Sequence, residues 1–320
     1  MKRKYLNLVA ALLLILGSSI TFLACSGTPE IPSNEPENKH HDDPYKAVLT
    51  LASGHFHGVM FHQDAEIEGL KYMNAIQTIT FEYTEGKGWA PAKGSTDKFV
   101  VLAGSDKVQA AYGLWIQYYN KKGEEITGQF VQNGEDKIHQ HFFIPSDVKP
   151  LPKEGVAEAD DNDPTKLVQY TYMDTTPWNK TLRDDGTKLT GKENPIGFKG
   201  WFQFYKTRKT LSLIIRLMHA RISKYKNGQT SPFYAPTSAQ LLSDSWDVEI
   251  KVPVCIAHSR VEEDDTQIGE NSKYETLNEA DKRIVRAVAE AYNISNEEVL
   301  AAFKLRITGK GNNESGSRWF

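Results

Sequence analysis

The chain has 320 residues, with 38 Lys and Arg against 41 Asp and Glu, a formal net charge of -3, and 39% hydrophobic residues. A mildly acidic chain gives nucleic acid no electrostatic footprint, so no nucleic-acid partner is expected. Cys25 and Cys255 are the two cysteines of the sequence, too few for a disulfide framework.

Lys2, Arg3 and Lys4 precede an apolar run from Leu8 to Leu16, which predicts a secretory signal peptide over residues 1–24. The run is too short for a comfortable membrane span. Phe22-Leu23-Ala24-Cys25 resembles the lipobox of bacterial lipoproteins. That resemblance implies cleavage before Cys25, lipidation of Cys25 and a mature chain held to a membrane leaflet by acyl chains such as palmitate. Ser26 follows, with no aspartate to suggest retention in an inner membrane, so the resemblance implies a lipid anchor in the outer membrane, facing the periplasm or the surface. Residues 25–44 are rich in Pro, Ser, Asn and Glu and predict a flexible tether, with His40 and His41 read as part of a solvated polar stretch.

From Tyr45 to His258 apolar residues alternate with the period of a strand. Val48–Leu51, Ile76–Tyr83, Phe99–Leu102, Gly113–Tyr119, Gly128–Val131 and Ile138–Ile144 are the strands predicted for a first β domain, 45–148. Asn120-Lys121-Lys122-Gly123 and Asn133-Gly134 supply its turns, because Gly and Asn accept positive φ. Residues 149–164, short of large apolar side chains, are the predicted linker. A second β domain, 165–258, takes Val168–Tyr172, Trp201–Tyr205, Leu211–Ile222 and Trp246–Val254 as strands. Trp115-Ile116-Gln117-Tyr118-Tyr119 matches Trp201-Phe202-Gln203-Phe204-Tyr205, which makes the two domains a candidate tandem repeat. The expected fold is therefore mainly β, two antiparallel sandwich or barrel-like units.

Cys255 lies among Val252, Val254 and Ile256, the setting of a buried strand residue. After the acidic patch Glu262–Asp265 the pattern becomes helical. Thr276-Leu277-Asn278-Glu279 and Ser295-Asn296-Glu297-Glu298 read as helix starts, which predicts a helical hairpin over 276–306 packed on the β body. The polar, glycine-rich stretch 307–320 reads as a mobile tail.

The histidines carry the chemistry. His55 and His57, and again His139 and His141, stand two apart in predicted strands, so each pair shares one face. Were the two strands neighbours, four neutral imidazoles would converge, a ligand set suited to zinc or copper. His62 follows past Gly58 and is a fifth or alternative ligand, whereas His219 reads as a hydrogen-bonded core residue. A His-x-His on a strand also resembles the cupin motif, but the fifth position after His57 is His62 where that motif has glutamate. Nucleophile elbows, phosphate loops and dinucleotide fingerprints are lacking, and binding is expected ahead of catalysis.

The lipobox, polar tether and aromatic-rich β body together resemble the nutrient-capturing envelope lipoproteins of Bacteroidetes-type outer membranes. That organisation implies a metal-binding protein that exchanges zinc or copper with an outer-membrane transporter. The alternatives are a haem-binding lipoprotein, with two histidines as axial ligands, and a surface adhesin or structural lipoprotein without metal.

Overall fold

A computed structural model of the chain describes residues 39–105, 109–311 and 318–320, so the predicted signal peptide and Cys25 lie outside the described residues. The described chain is mainly β, built on one large mixed sheet whose order is β4-β3-β1-β6-β11-β5-β13-β12-β7. These strands are β1 (Lys46–His57), β3 (Ile76–Thr84), β4 (Gly88–Pro91), β5 (Phe99–Ala103), β6 (Ala111–Tyr119), β7 (His139–Pro150), β11 (Lys199–Phe204), β12 (Lys209–His219) and β13 (Ser245–Ser259). Two short strands are appended, β2 (Met60–Gln63) on β1 and β8 (Val168–Tyr172) on β11. A separate ribbon pairs β9 (Thr175–Thr176) with β10 (Lys188–Leu189).

This topology corrects the expected two-domain division. β5 from the first half sits between β11 and β13 from the second, and β7 lies at the far edge beside β12. The two aromatic segments that suggested a repeat, in β6 and β11, are hydrogen-bonded neighbours in the same sheet. Residues 149–164 do not separate domains either. β7 runs to Pro150, and Glu158, Asp160 and Asp161 are tied to Lys206 and the fully buried Lys209 of the sheet.

The strand patterns explain the layers. On β13, Val248, Ile250, Val252 and Val254 are buried while Glu249, Lys251 and Pro253 are exposed, the alternation of a sheet with one wet face. From Val254 to His258 both faces are buried. There Cys255 and Ala257 turn outward onto α4 (Glu279–Tyr292), packing with Ile284, Val285 and Val288 of that helix and Val299, Leu300 and Phe303 of α5 (Asn296–Thr308). The earlier helices are α1 (Pro164–Leu167), α2 (Ser238–Ser243) and α3 (Arg260–Asp264). Asn278 caps α4 by accepting from the Asp281 amide, and Ser295 with Glu298 forms a complete capping box on α5.

The other sheet face encloses the main core, to which β1, β3, β5, β6, β7, β8, β11, β12 and β13 all contribute. Tyr118 on β6 touches His141 on β7 at 2.8 Å, although five strand steps separate them in the sheet order. A flat sheet would hold them roughly 24 Å apart, at about 4.8 Å per step. The sheet therefore curls around its core, without closing into a barrel.

Two further segments differ from their sequence reading. Gly128–Val131, expected as strand, lies in a 3-10 turn over Thr127–Val131, with the Gln129 amide bonded locally to the Ile126 carbonyl and Phe130 buried as a plug. The tail is docked where it is described. The Gln63 amide donates to the Arg318 carbonyl at 2.9 Å, the Phe320 amide donates to the Phe61 carbonyl at 3.1 Å, and the Phe320 ring is buried against Phe61 and Trp115.

Candidate metal centres

The two histidine pairs do not meet. β7 meets the curled sheet at Tyr118, whose partner on β1 is Ala47, at the other end of that strand from His55 and His57; His139 joins one cluster and His55 with His57 another, with His141 in neither. Both His141 nitrogens are committed: Nδ1 donates to the Ile196 carbonyl and Nε2 accepts from the Tyr118 hydroxyl, each at 2.8 Å. Burial pushes the imidazole down to about 3, so it is neutral, with its lone pair already used.

His139 instead meets the buried His41 and His219 and the Asp247 carboxylate, whose side chain is 2% exposed, with one ligand atom from each lying within 4.8 Å of all the others. Each member has a local reason to be there. His139 opens β7 and His219 closes β12, and the two are direct cross-strand partners. On the far side of β12, the β13 register slips by one residue, Leu217 facing Val248 and Met218 facing Trp246. Asp247 is the extra residue of that bulge, and a bulge re-aims a side chain. His41, expected in a solvated tether, is fixed through its neighbour: the Asp42 amide donates to Gln129 at 2.6 Å, and Asn120 donates to the Asp42 carboxylate at 3.1 Å. Its ring packs 4.2 Å from that of Phe130.

The separations decide what this cluster can do. Asp247 Oδ2 lies 3.2 Å from His139 Nε2, 3.5 Å from His41 Nε2 and 3.6 Å from His219 Nδ1, and His41 Nε2 lies 3.3 Å from His219 Nδ1. All but the first lie beyond the usual hydrogen-bond range. They suit the edges of a tetrahedron, which for bonds of about 2.0–2.1 Å are about 3.3–3.4 Å. The tautomers point the same way. His41 Nδ1 donates to the Asp42 carbonyl at 3.0 Å and His139 Nδ1 to the Glu135 carbonyl at 2.9 Å, which leaves Nε2 of each ring facing inward, towards a carboxylate, as the atom able to coordinate. Lone pairs converging in a dry pocket repel unless a cation lies between them.

Charge balance adds to this. Asp247 and Glu135 bring two carboxylates into the interior, and among the described residues Glu135 Oε2 and His219 Nε2 have no hydrogen-bond partner. Lys39 Nζ, 3.7 Å from Asp247 Oδ1, offsets part of the charge. Burial lowers the His41 imidazole to about 4, and burial also raises the Glu135 carboxyl against the pull of nearby histidines. Burial alone would raise Asp247 as well, but the close approach of His139, His219 and His41 outweighs it and holds Asp247 ionised, well below the usual carboxylate range.

The second cluster is a product of one hairpin. β1 turns at Gly58-Val59, with Gly58 at a φ of 65°, and returns as β2, so that His62 faces His55 directly across the ladder. His57 shares their face. His55 Nε2 and His57 Nε2 are 3.1 Å apart, and His57 Nε2 and His62 Nδ1 are 3.3 Å apart. His55 Nδ1 donates to Asp64 at 3.0 Å. His55 and His57 are exposed, whereas His62 is buried beneath Trp319.

No protein-family model, curated protein or solved structure matches the chain. The chemistry is therefore read from the clusters themselves. A third acidic group, Glu158, Asp160 and Asp161, offers no comparable site, because each carboxylate is already paired with Lys206 or Lys209.

Sequence reasoning missed His41, His219 and Asp247. Asp247 did carry a signal, since aspartate is depleted in strand interiors yet stands inside the predicted strand Trp246–Val254.

Proposed function

We propose that this chain is a lipid-anchored envelope metalloprotein whose His41, His139, His219 and Asp247 hold one late first-row transition ion, zinc before copper. The observation that carries the reading is the convergence of four ligand atoms, four of their six separations at 3.2–3.6 Å, with the Nδ1 atoms of His41 and His139 occupied by backbone carbonyls. Three imidazoles and one carboxylate suit zinc, which takes N and O ligands in a closed tetrahedron when its role is structural. Glu135, 3.4 Å from His139 Nδ1, and the Glu135 carbonyl orient that ligand from behind, as outer partners of metal-bound histidines do.

The haem alternative is disfavoured by space. The rings of His41, His139 and His219 pack with centroids 4.6–5.3 Å apart, leaving no slot for a macrocycle between them. A site this enclosed retains its ion, so exchange with an outer-membrane transporter does not fall to it. The anchor at Cys25 remains what the lipobox implies, and metabolic labelling with a palmitate analogue tests it: Cys25→Ala is expected to abolish the label.

Thermal unfolding of the chelator-stripped protein, with and without added zinc, tests the buried centre. An ion present at about a thousand times its dissociation constant stabilises by about 4 kcal/mol, roughly 10 °C in Tm for a domain of this size. Wild type should show that shift and Asp247→Asn should lose most of it. Equal shifts in both would refute the assignment.

A further inference from the structure

We propose that His55, His57 and His62 form a second metal site, open on one side and exchangeable, which takes a divalent zinc or copper ion independently of the buried centre. The two clusters share no ligand, so this proposal and the buried-centre reading can fail separately.

One nitrogen from each ring lies within 4.8 Å of the other two, and two of the three separations match tetrahedral edges. Nitrogen separations of 3.1 and 3.3 Å lie close to the edge expected for bonds of about 2.0–2.1 Å. The hairpin register fixes the arrangement, because His55 and His57 alternate onto one face and His62 is the cross-strand partner of His55. Asp64 accepts from His55 Nδ1 and thereby presents Nε2 to the ion, the outer-shell carboxylate that commonly accompanies a metal-bound imidazole. The Trp319 ring stacks on His62 at 3.9 Å and lies 5.1 Å from that of His57, so it walls one side. Arg183 covers the Trp319 ring at 4.3 Å.

What separates this cluster from the buried one is access and charge. The His55 side chain is half exposed, and His57 is exposed too, so the fourth position faces water. Three neutral nitrogens and no carboxylate ligand favour zinc or copper over magnesium or calcium. They also hold the ion less tightly than a set with an anionic ligand in a dry interior. An open, three-coordinate ion can be captured and passed on by ligand exchange, which gives the transfer role a place on this molecule.

The test is metal counting on the purified chain with zinc as the probe, followed by release to a weak chelator. Wild type should bind two equivalents, one released rapidly and one retained. His55→Ala/His57→Ala should lose only the rapid equivalent, and Asp247→Asn only the retained one. Copper supplies a second readout that does not depend on folding differences. Cu²⁺ at the open site should quench tryptophan emission in wild type, and Trp319→Phe should remove most of that quench while still binding the metal. The proposal is overturned if the His55/His57 variant keeps a rapid equivalent, or if quenching is the same without Trp319.

Discussion

Asp247 is the residue on which the buried centre turns, since it is the anionic ligand and reaches His41, His139 and His219 with one oxygen. Replacing it with Asn keeps the shape and removes the charge, so zinc affinity should fall by several orders of magnitude. Glu135→Gln touches the ligands from outside, and the expected loss is smaller, about 10–100-fold. Competition titration against a chromophoric chelator ranks the two, and a larger loss in the Glu135 variant would mean that the carboxylate roles are reversed. The convergence of His55, His57 and His62 was legible because it is local, fixed by the i,i+2 alternation and one tight turn. The pairing of His139 with His219 was not, because it depends on which distant strand lies beside β7.

At the scale of elements, the hairpin of the open site is held by close approach of glycines. A Cβ on Gly54 would come within 2.3 Å of the His62 carbonyl and 2.4 Å of the Phe61 ring, and one on Gly113 within 2.5 Å of that ring. Gly in these strands marks a place where another chain segment passes close by. Gly54→Ala should therefore destabilise the fold by about 1–3 kcal/mol through overpacking. It should also weaken the rapidly exchanging zinc equivalent while the retained one survives, read by denaturant unfolding and the release assay together. Unchanged rapid-site affinity would show that the hairpin tolerates the shift. Element identities were largely legible, since alternation located most strands and the Ser295–Glu298 box located α5, while α4 begins two residues later than the Thr276 box implied, with Asn278 as its cap. Thr127–Val131 was not, because its apolar residues serve to plug Phe130 into the core rather than to pair in a ladder.

For the molecule as a whole, the helical hairpin is tied to the sheet by a buried charge. Glu263 on α3 meets His258 at the end of β13 at 2.9 Å and Arg306 on α5 at 2.8 Å. Burial would raise its carboxyl, but these partners prevail and lower it from 4.5 to about 2. A folded-state value below the unfolded one means that the stabilisation is fully present above pH 4.5 and is lost as pH falls towards 2. Glu263→Gln should cost about 3 kcal/mol at neutral pH by leaving Arg306 and His258 short of a partner. That deficit should shrink in urea unfolding near pH 3, and a pH-independent deficit would contradict the assignment. The single curled sheet was the least legible feature, because the order in which strands from both halves interleave leaves no trace in local periodicity. Composition likewise could not show that His41 and the Phe320 end are drawn into the body, since each is held by contacts with residues far along the chain.

Zinc K-edge absorption spectroscopy on the His55→Ala/His57→Ala chain loaded with one equivalent tests the central claim most directly. The account predicts a single shell of four nitrogen and oxygen neighbours at about 2.0–2.1 Å, with the outer-shell pattern of about three imidazoles. A six-oxygen shell without imidazole scattering, or zinc that washes away on buffer exchange, would contradict it.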